Sequence, residues 1–379
     1  MITFEYSFKP GEINFDSLLF KYSPNLNLKE EKYGNFKELD YTKCKIDLLD
    51  KNSEKYRRAA AKYLHEYELV KLICKKNVIS RAYFKLYEMV YYEPIIYSEN
   101  LNCFFICEAP GGFIECITDI RRKRNMLTNY TSISSDNIQY DNYLDNDSLM
   151  YGDITNTELI EQLIIKIKNK NPHGLEFITA DGGFDIKLFN SQEIVSGKLL
   201  LCEIYLALSL QKPGGMFIIK FFDMFTHNSI ILYLILCSCY KNVKITKPLT
   251  SRNSNSERYI VCKNFVKVDE LLLQKLMTII KNHKENIIIF PDFNFGNNIH
   301  FLKSISTFNN LILYEQVKTI NESIKMVNNK DMYIQNLLLQ LFLDKKSILK
   351  YKHILTSRIK KCTNWLKNYN LNITHFLFV

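Results

Sequence analysis

Between residues 101 and 265 short apolar runs alternate with helical stretches, and few folds accept that order. LNCFFIC (101–107), YTSISS (130–135), SLMY before Gly152, LEFITA (175–180), MFIIKFF, NVKITKP and ERYIVCK read as strands. Helical patterns stand between most of them: the stretch that Pro-Gly-Gly opens and that runs to Arg124, TELIEQLIIKIKNK, roughly 191–211, and 226–239. Strands separated by helical crossovers pair in parallel, so the order predicts a mostly parallel, doubly wound α/β sheet with helices on both faces. The last two strands are joined by a short Ser/Asn-rich loop, which predicts an antiparallel last strand.

The flanks obey other patterns. Residues 1–70 are predicted as an N-terminal extension, mixed and aromatic-rich at first and helical from Ser53 onward. Residues 71–265 carry the α/β pattern, and 266–379 are predicted as a mainly helical region. Within it, residues 344–367 hold eight Lys or Arg against one acid, either a solvated helix face or a contact for RNA or a protein partner. That segment supplies most of the formal net charge of +10, which suits a polyanionic partner. With 47% hydrophobic and 24% charged residues, a disordered or fibrous chain is excluded.

The ten cysteines mostly sit in apolar runs without any C-x-x-C pair, so reduced buried thiols are expected rather than zinc or disulfides. No signal-peptide layout opens the chain, and its longest apolar run, Ile230 to Tyr240, is too short to span a bilayer. The expectation is a soluble intracellular protein without membrane contact, the cytoplasm favoured over the nucleus. RRKR (121–124) has the look of a nuclear-import cluster, but it falls at a predicted helix end, where basic residues complement the dipole.

Ligands of an open α/β sheet bind outside the carboxyl ends of its strands, and three strand ends here carry unusual residues. Glu108-Ala-Pro-Gly-Gly-Phe113 lets backbone approach a ligand closely, or is simply a tight turn. It has neither the glycine spacing of a dinucleotide site nor a following Lys-Ser/Thr. Asp181, ahead of Gly182-Gly183, can face a cationic ligand or cap the next helix. Lys220 is embedded in FIIKFF, where an ammonium must find partners or snorkel out.

Taken in order, SRAYFKLYEM (80–89), CEAPGGF (107–113), GDIT (152–155), ADGGFD (180–185), GGMFIIKFFDMFT (214–226) and TSRNSNSERYIVCKN (250–264) resemble one family. The chain is similar to the FtsJ-like S-adenosylmethionine-dependent 2'-O-ribose methyltransferases over roughly residues 75 to 265. The CEAPGG and SR-x-x-NSE-x-Y-x-V forms resemble the cap-specific mRNA branch, which eukaryotes and large DNA viruses carry. The resemblance implies a Rossmann-like class I methyltransferase fold and a catalytic Lys-Asp-Lys-Glu set at Lys85, Asp181, Lys220 and Glu257.

It also implies S-adenosylmethionine as cofactor, held by Cys107, Glu108, Ala109, Pro110, Gly111, Gly112, Phe113 and Asp181, with Asp153 near the adenine. Asp136 is a candidate for the acidic residue after the second strand. Arg81, Asn255 and the Asn190-Ser191-Gln192 segment are candidate RNA contacts, and no metal is expected. Lys220 is the expected general base, its pKa driven toward neutrality by burial and by Lys85. The implied reaction is methyl transfer to the ribose 2'-OH of the first transcribed nucleotide of capped RNA, with capping or transcription machinery as partner. Transfer to the second cap nucleotide, to ribosomal or transfer RNA, or a non-catalytic RNA-binding subunit are the alternatives. Fifty Phe, Tyr and Trp residues single out no cap pocket, and Trp365 is expected to be a packing residue.

Overall fold

In the computed structural model every one of the seven expected strands forms, and an eighth joins them. Described are residues 2–6, 36–135, 138–142, 144–183, 192–282, 299–328, 332–341 and 344–374. The eighth strand is β1 (Ile2–Tyr6), from the N-terminal extension, which pairs antiparallel with the edge strand. The others are β2 (Asn102–Ile106), β3 (Asn129–Ser134), β4 (Leu149–Tyr151), β5 (Leu175–Ala180), β6 (Gln211–Phe221), β7 (Tyr240–Lys247) and β8 (Arg258–Phe265).

The strand order is β1-β7-β8-β6-β5-β2-β3-β4. From β6 through β4 all pairs are parallel, whereas β8 lies antiparallel between β6 and β7. A short loop can reverse the chain after β7 but cannot make a parallel crossover, so β8 is forced to run backwards. Burial on both faces explains why LEFITA is apolar almost throughout rather than alternating.

Alternate strand residues feed two cores. Phe104, Ile106, Ile178, Phe217 and Ile219 pack on one face. They meet the helices α6 (Thr157–Lys170), α8 (Gly197–Leu210), α9 (His227–Cys239) and α10 (Glu270–Asn282). Cys103, Phe105, Phe177, Met216 and Ile218 point the other way, toward α4 (Ala82–Val90) and α5 (Gly112–Arg122). Lys220 has the parity of Met216 and Ile218, so its side chain leaves the sheet on the α4 side.

The flanking helices close around this sheet. Helices α1 (Phe36–Asp47) and α2 (Lys51–Leu64) pack on the 30-residue α11 (Ile299–Asn328). Beyond α12 (Met332–Gln340) and α13 (Lys345–Lys350), α14 (Lys352–Asn368) packs on α3 (Val70–Ile73). The short α7 (Gln192–Val195) precedes α8.

The basic segment is partly anchored: Lys361 pairs with Glu66, and the Arg358 guanidinium lies 4.1 Å from the Tyr63 ring centre. Trp365 is buried against Phe84 and Tyr369. Arg121 of the RRKR run is fully buried and donates to the carbonyls of Ile96, Ser98, Glu99 and Leu127. All ten cysteines are free thiols, eight of them buried. Among the described residues no helix is long and apolar enough to cross a membrane.

Candidate active site

Four strand-end segments and one helix meet at the carboxyl edge of the parallel strands. After β2 the chain turns through Cys107, whose φ is +59°, and through Gly111, at φ +111°, into the first turn of α5. That second conformation favours glycine, and a Cβ on Gly112 would collide with the Ser80 hydroxyl at 2.1 Å. The loop is pinned by Ala109 N donating to Ser134 Oγ at 2.9 Å. Residues Cys107, Glu108, Ala109, Pro110, Gly111, Gly112 and Phe113 thus line the edge where the sequence places a cofactor.

The residues Lys85, Asp181, Lys220 and Glu257 come together as two ion pairs. Lys85 Nζ lies 2.7 Å from Glu257 Oε2, linking α4 to the loop before β8 across 172 positions of sequence. Lys220 Nζ lies 2.6 Å from the carbonyl of Asp181 and 3.3 Å from its Oδ1. All four side chains are at least four-fifths buried. Tyr259, level with Lys220 across the sheet, donates its hydroxyl to Asp181 Oδ1 at 3.0 Å.

The electrostatics correct one expectation. Burial alone lowers the pKa of Lys220, but Asp181, Glu257 and Glu203 outweigh it and raise it above the ordinary lysine value. Lys220 is therefore held charged, not driven toward neutrality. The reason is that three carboxylates approach it, and Lys85 is occupied by Glu257. Burial also pushes the Glu108 carboxyl well up, reinforced by Asp181, while Glu108 accepts from Thr179 Oγ1 at 3.1 Å. Burial raises Glu203 to about 8, and its Oε1 accepts the Gly182 amide at 3.1 Å. Glu257 goes the other way: burial would raise it, but Lys85, Lys220 and Lys247 hold it at about 2.

The loop from 248 to 257 that presents Glu257 is held from several sides. Glu88, one turn beyond Lys85 on α4, accepts the amides of Leu249 and Thr250, both at 2.8 Å. Arg252 makes two bonds to Glu68. Arg81 is engaged inside the protein, donating to the carbonyls of Glu68 and Thr250. No local pattern announces that pair of carbonyls, so Arg81 reads as a free RNA contact until the fold is known.

Asn255 lines a cleft with Lys43, Arg57, Gln192, Phe222, Glu257 and Gln316. The expected RNA contacts Asn255 and Gln192 therefore share one cleft with Glu257. In the same cleft the Arg57 guanidinium is oriented by Glu54 through bonds of 2.6 and 2.8 Å. Gln316, from the C-terminal region, reaches in and donates to Ser254 O at 3.3 Å.

Asp153 is exposed just beyond β4, at the same sheet edge, and takes the amide and hydroxyl of Thr155. Asn190, Ser191 and Asp136 lie outside the described residues. Among the described residues no three or more His, Cys, Asp or Glu side chains are placed to hold a metal ion.

Sequence reasoning passed over Glu203, Tyr259 and Lys247. Tyr259 and Lys247 each carried a usable signal, a polar group on a strand next to the loop that presents Glu257. Glu203 carried only a lone acid in an apolar helix.

Residues 78–265 match the model of the FtsJ-like methyltransferase family. Cap-specific mRNA (nucleoside-2'-O-)-methyltransferase 1 of Bos taurus is 32% identical over 263 residues, 60% of this chain and 31% of that protein. Its Danio rerio counterpart is 35% identical over 188 residues, 46% of this chain and 23% of that one. The Homo sapiens protein of the same name is 31% identical over 261 residues, 60% and 30% of the two chains. The chain spans less than a third of the length of these curated relatives.

Proposed function

We propose, for a chain whose residues 78–265 place it in the FtsJ-like methyltransferase family, that it transfers a methyl group from S-adenosylmethionine to the ribose 2'-OH of the first transcribed nucleotide of capped RNA. The observation that carries this is the pair of facing ion pairs, Lys85–Glu257 and Lys220–Asp181, at one edge of the sheet. The names of the relatives, all cap-specific mRNA 2'-O-methyltransferases, supply the substrate class.

The residues fit the cofactor through one carboxylate and its polar surroundings. Asp181 stands at the turn after β5, and Glu108 and Glu203 lie behind it as buried acids pushed toward their neutral form, so this edge suits a cationic ligand through Asp181. S-adenosylmethionine, when bound, supplies an electrophilic methyl on a sulfonium. Cys107 to Phe113 and Asp181 would hold it, and Asp153 would stand toward its adenine. Lys220 accepts the proton of the 2'-OH, and Asp181 fixes the Nζ through its carbonyl and carboxylate. In the resting protein Lys220 holds its own proton beside Asp181, Glu257 and Glu203, so it takes the 2'-OH proton only after its own has been released to solvent. Lys85, clamped by Glu257, keeps a second cation beside the reacting oxygen, and burial of the four side chains excludes water. The cleft of Lys43, Arg57, Gln192, Asn255 and Gln316 offers the RNA a polar path that starts at Glu257.

The test is methyl transfer from labelled S-adenosylmethionine to matched short RNAs, capped and uncapped, with Lys220→Ala as control. Transfer to capped RNA alone, lost in the variant and blocked by a preinstalled 2'-O-methyl on the first nucleotide, is expected. Transfer to both RNAs would remove the cap specificity and keep the chemistry. Absence of transfer to either RNA would overturn the reading.

A further inference from the structure

We propose that Lys247 is a positioning residue for Glu257, acting with Ser251 to fix the orientation in which that carboxylate meets Lys85. The inference rests on the methyltransferase reading above and adds a residue to its machinery. Lys247 closes β7, and only 5% of its surface reaches solvent. Its Nζ lies 3.3 Å from Ser251 Oγ, 2.8 Å from the Asn255 carbonyl and 2.6 Å from the Glu257 carbonyl. An ammonium has three N–H donors, and these three oxygens use all of them. Every acceptor is neutral, and every one belongs to the loop between β7 and β8 that presents Glu257.

The direction of the hydrogen bonds follows from the donor count. Ser251 has one hydroxyl proton, and it goes to Glu257 Oε1 at 2.9 Å. Its oxygen is then the acceptor for Lys247. The chain therefore runs from Lys247 through Ser251 to one carboxylate oxygen, while Lys85 takes the other at 2.7 Å. Each oxygen of Glu257 has its own donor, from opposite sides, and the carboxylate plane is set by the two together. Glu88 and Glu68 tie down Leu249, Thr250 and Arg252, at the front of the loop, whereas Lys247 holds the carbonyls of Asn255 and Glu257.

A buried lysine is a costly way to hold a loop. Burial drags its pKa down to about 7, against the pull of Glu257, and the nearby cations Arg258 and Lys85 push the same way as burial. Methionine at this position would leave the Ser251 hydroxyl and the Asn255 and Glu257 carbonyls without their donor, which lowers stability whatever else Lys247 does. A residue that served only as scaffold would lower the melting temperature alone; one that orients Glu257 also lowers kcat of the folded enzyme.

The experiment uses the full chain with Lys247→Met, Ser251→Ala and Glu257→Gln, singly and in pairs. It records kcat and KM for methyl transfer to capped RNA, the Kd for S-adenosylmethionine, and the melting temperature. Lys247→Met is expected to lower kcat roughly 10- to 100-fold, the scale of a misplaced catalytic group. The cofactor Kd should stay unchanged, and the melting temperature should fall, because three acceptors lose their donor, so kcat is read at a temperature where the variant is folded. Ser251→Ala should lower kcat by a smaller factor in the same direction. In the Glu257→Gln background neither change should cost anything further, because residues acting as a unit are not additive.

A kcat within twofold of the parent overturns the inference, as does a full additional loss in the Glu257→Gln background. Should Lys247→Met fail to fold, Ser251→Ala decides by the same two criteria. A parent protein that methylates no RNA sinks the functional reading and this inference with it. An active parent with silent variants sinks this inference alone.

Discussion

The two sides of Lys220 differ in charge. Toward the loop after β2 it meets Asp181, with Glu203 and Glu108 behind as buried acids that favour their protonated form. At the loop before β8, Lys85, Lys220 and Lys247 converge on a single Glu257, and the cleft beyond it is lined by Arg57, paired with Glu54, and by Lys43, paired with Asp223. The acids register the difference: burial lifts Glu203 to about 8, while Lys85, Lys220 and Lys247 hold Glu257 at about 2 against burial. Two buried glutamates on either side of Lys220 thus differ in protonation at neutral pH by environment alone. Under the proposed function, Asp181 suits a sulfonium and the lysines around Glu257 suit a phosphate-bearing RNA.

The hardest way to break that difference is to remove the charge of Asp181. Asp181→Asn should reduce methyl transfer by roughly 10²–10⁴-fold, the range for a positioned acid–base partner. It should also weaken cofactor binding, which isothermal titration would read; intact binding would mean that Asp181 does not face the cation. On the Glu257 side, Arg57→Ala should raise the KM for RNA about tenfold, the value of one charge-assisted hydrogen bond, and leave cofactor affinity alone. A shift in cofactor Kd instead would merge the two sides.

Glu203 gives a pH-dependent version of the comparison. Its folded pKa lies above its unfolded one, so the folded state binds the extra proton and stability falls as pH rises from about 4.5 to about 8. Glu203→Gln removes that term. The variant should melt higher than the parent at pH 8, and the advantage should shrink toward pH 5. An advantage independent of pH would mean that Glu203 is ionised throughout.

The smallest effect is expected far from the cleft. Lys361 is already paired with Glu66, so Lys360→Gln with Lys361→Gln should change the salt dependence of RNA affinity by less than Arg57→Ala does. A larger flattening would make the basic helix the main phosphate contact.

Much of this was legible in the chain. Buried strands flanked by helices leave a strong period signal, and all seven strands between 101 and 265 were readable from it. The residues Lys85, Asp181, Lys220 and Glu257 were readable through their motifs, and they do meet. β1 was not, because a five-residue edge strand in a mixed segment has no period to detect. The bonds that Arg81 makes to the Glu68 and Thr250 carbonyls leave no trace in the chain, since one partner is 169 positions away. RRKR read as basic residues at a helix end, and it does close α5, but the burial of Arg121 left no trace in the chain, because the four carbonyls it serves are gathered there only by the fold.

The sequence by itself determined the order of elements and the identity of the side chains at the strand ends, since apolar period and loop chemistry are local properties. Tertiary structure alone decided what those side chains are electrically. Lys220 and Lys247 are both lysines near the ends of buried strands, yet one is held charged by carboxylates and the other is drawn toward neutrality among carbonyls. Charge acts through space, and the neighbours that set it come from α4, α8 and three separate loops.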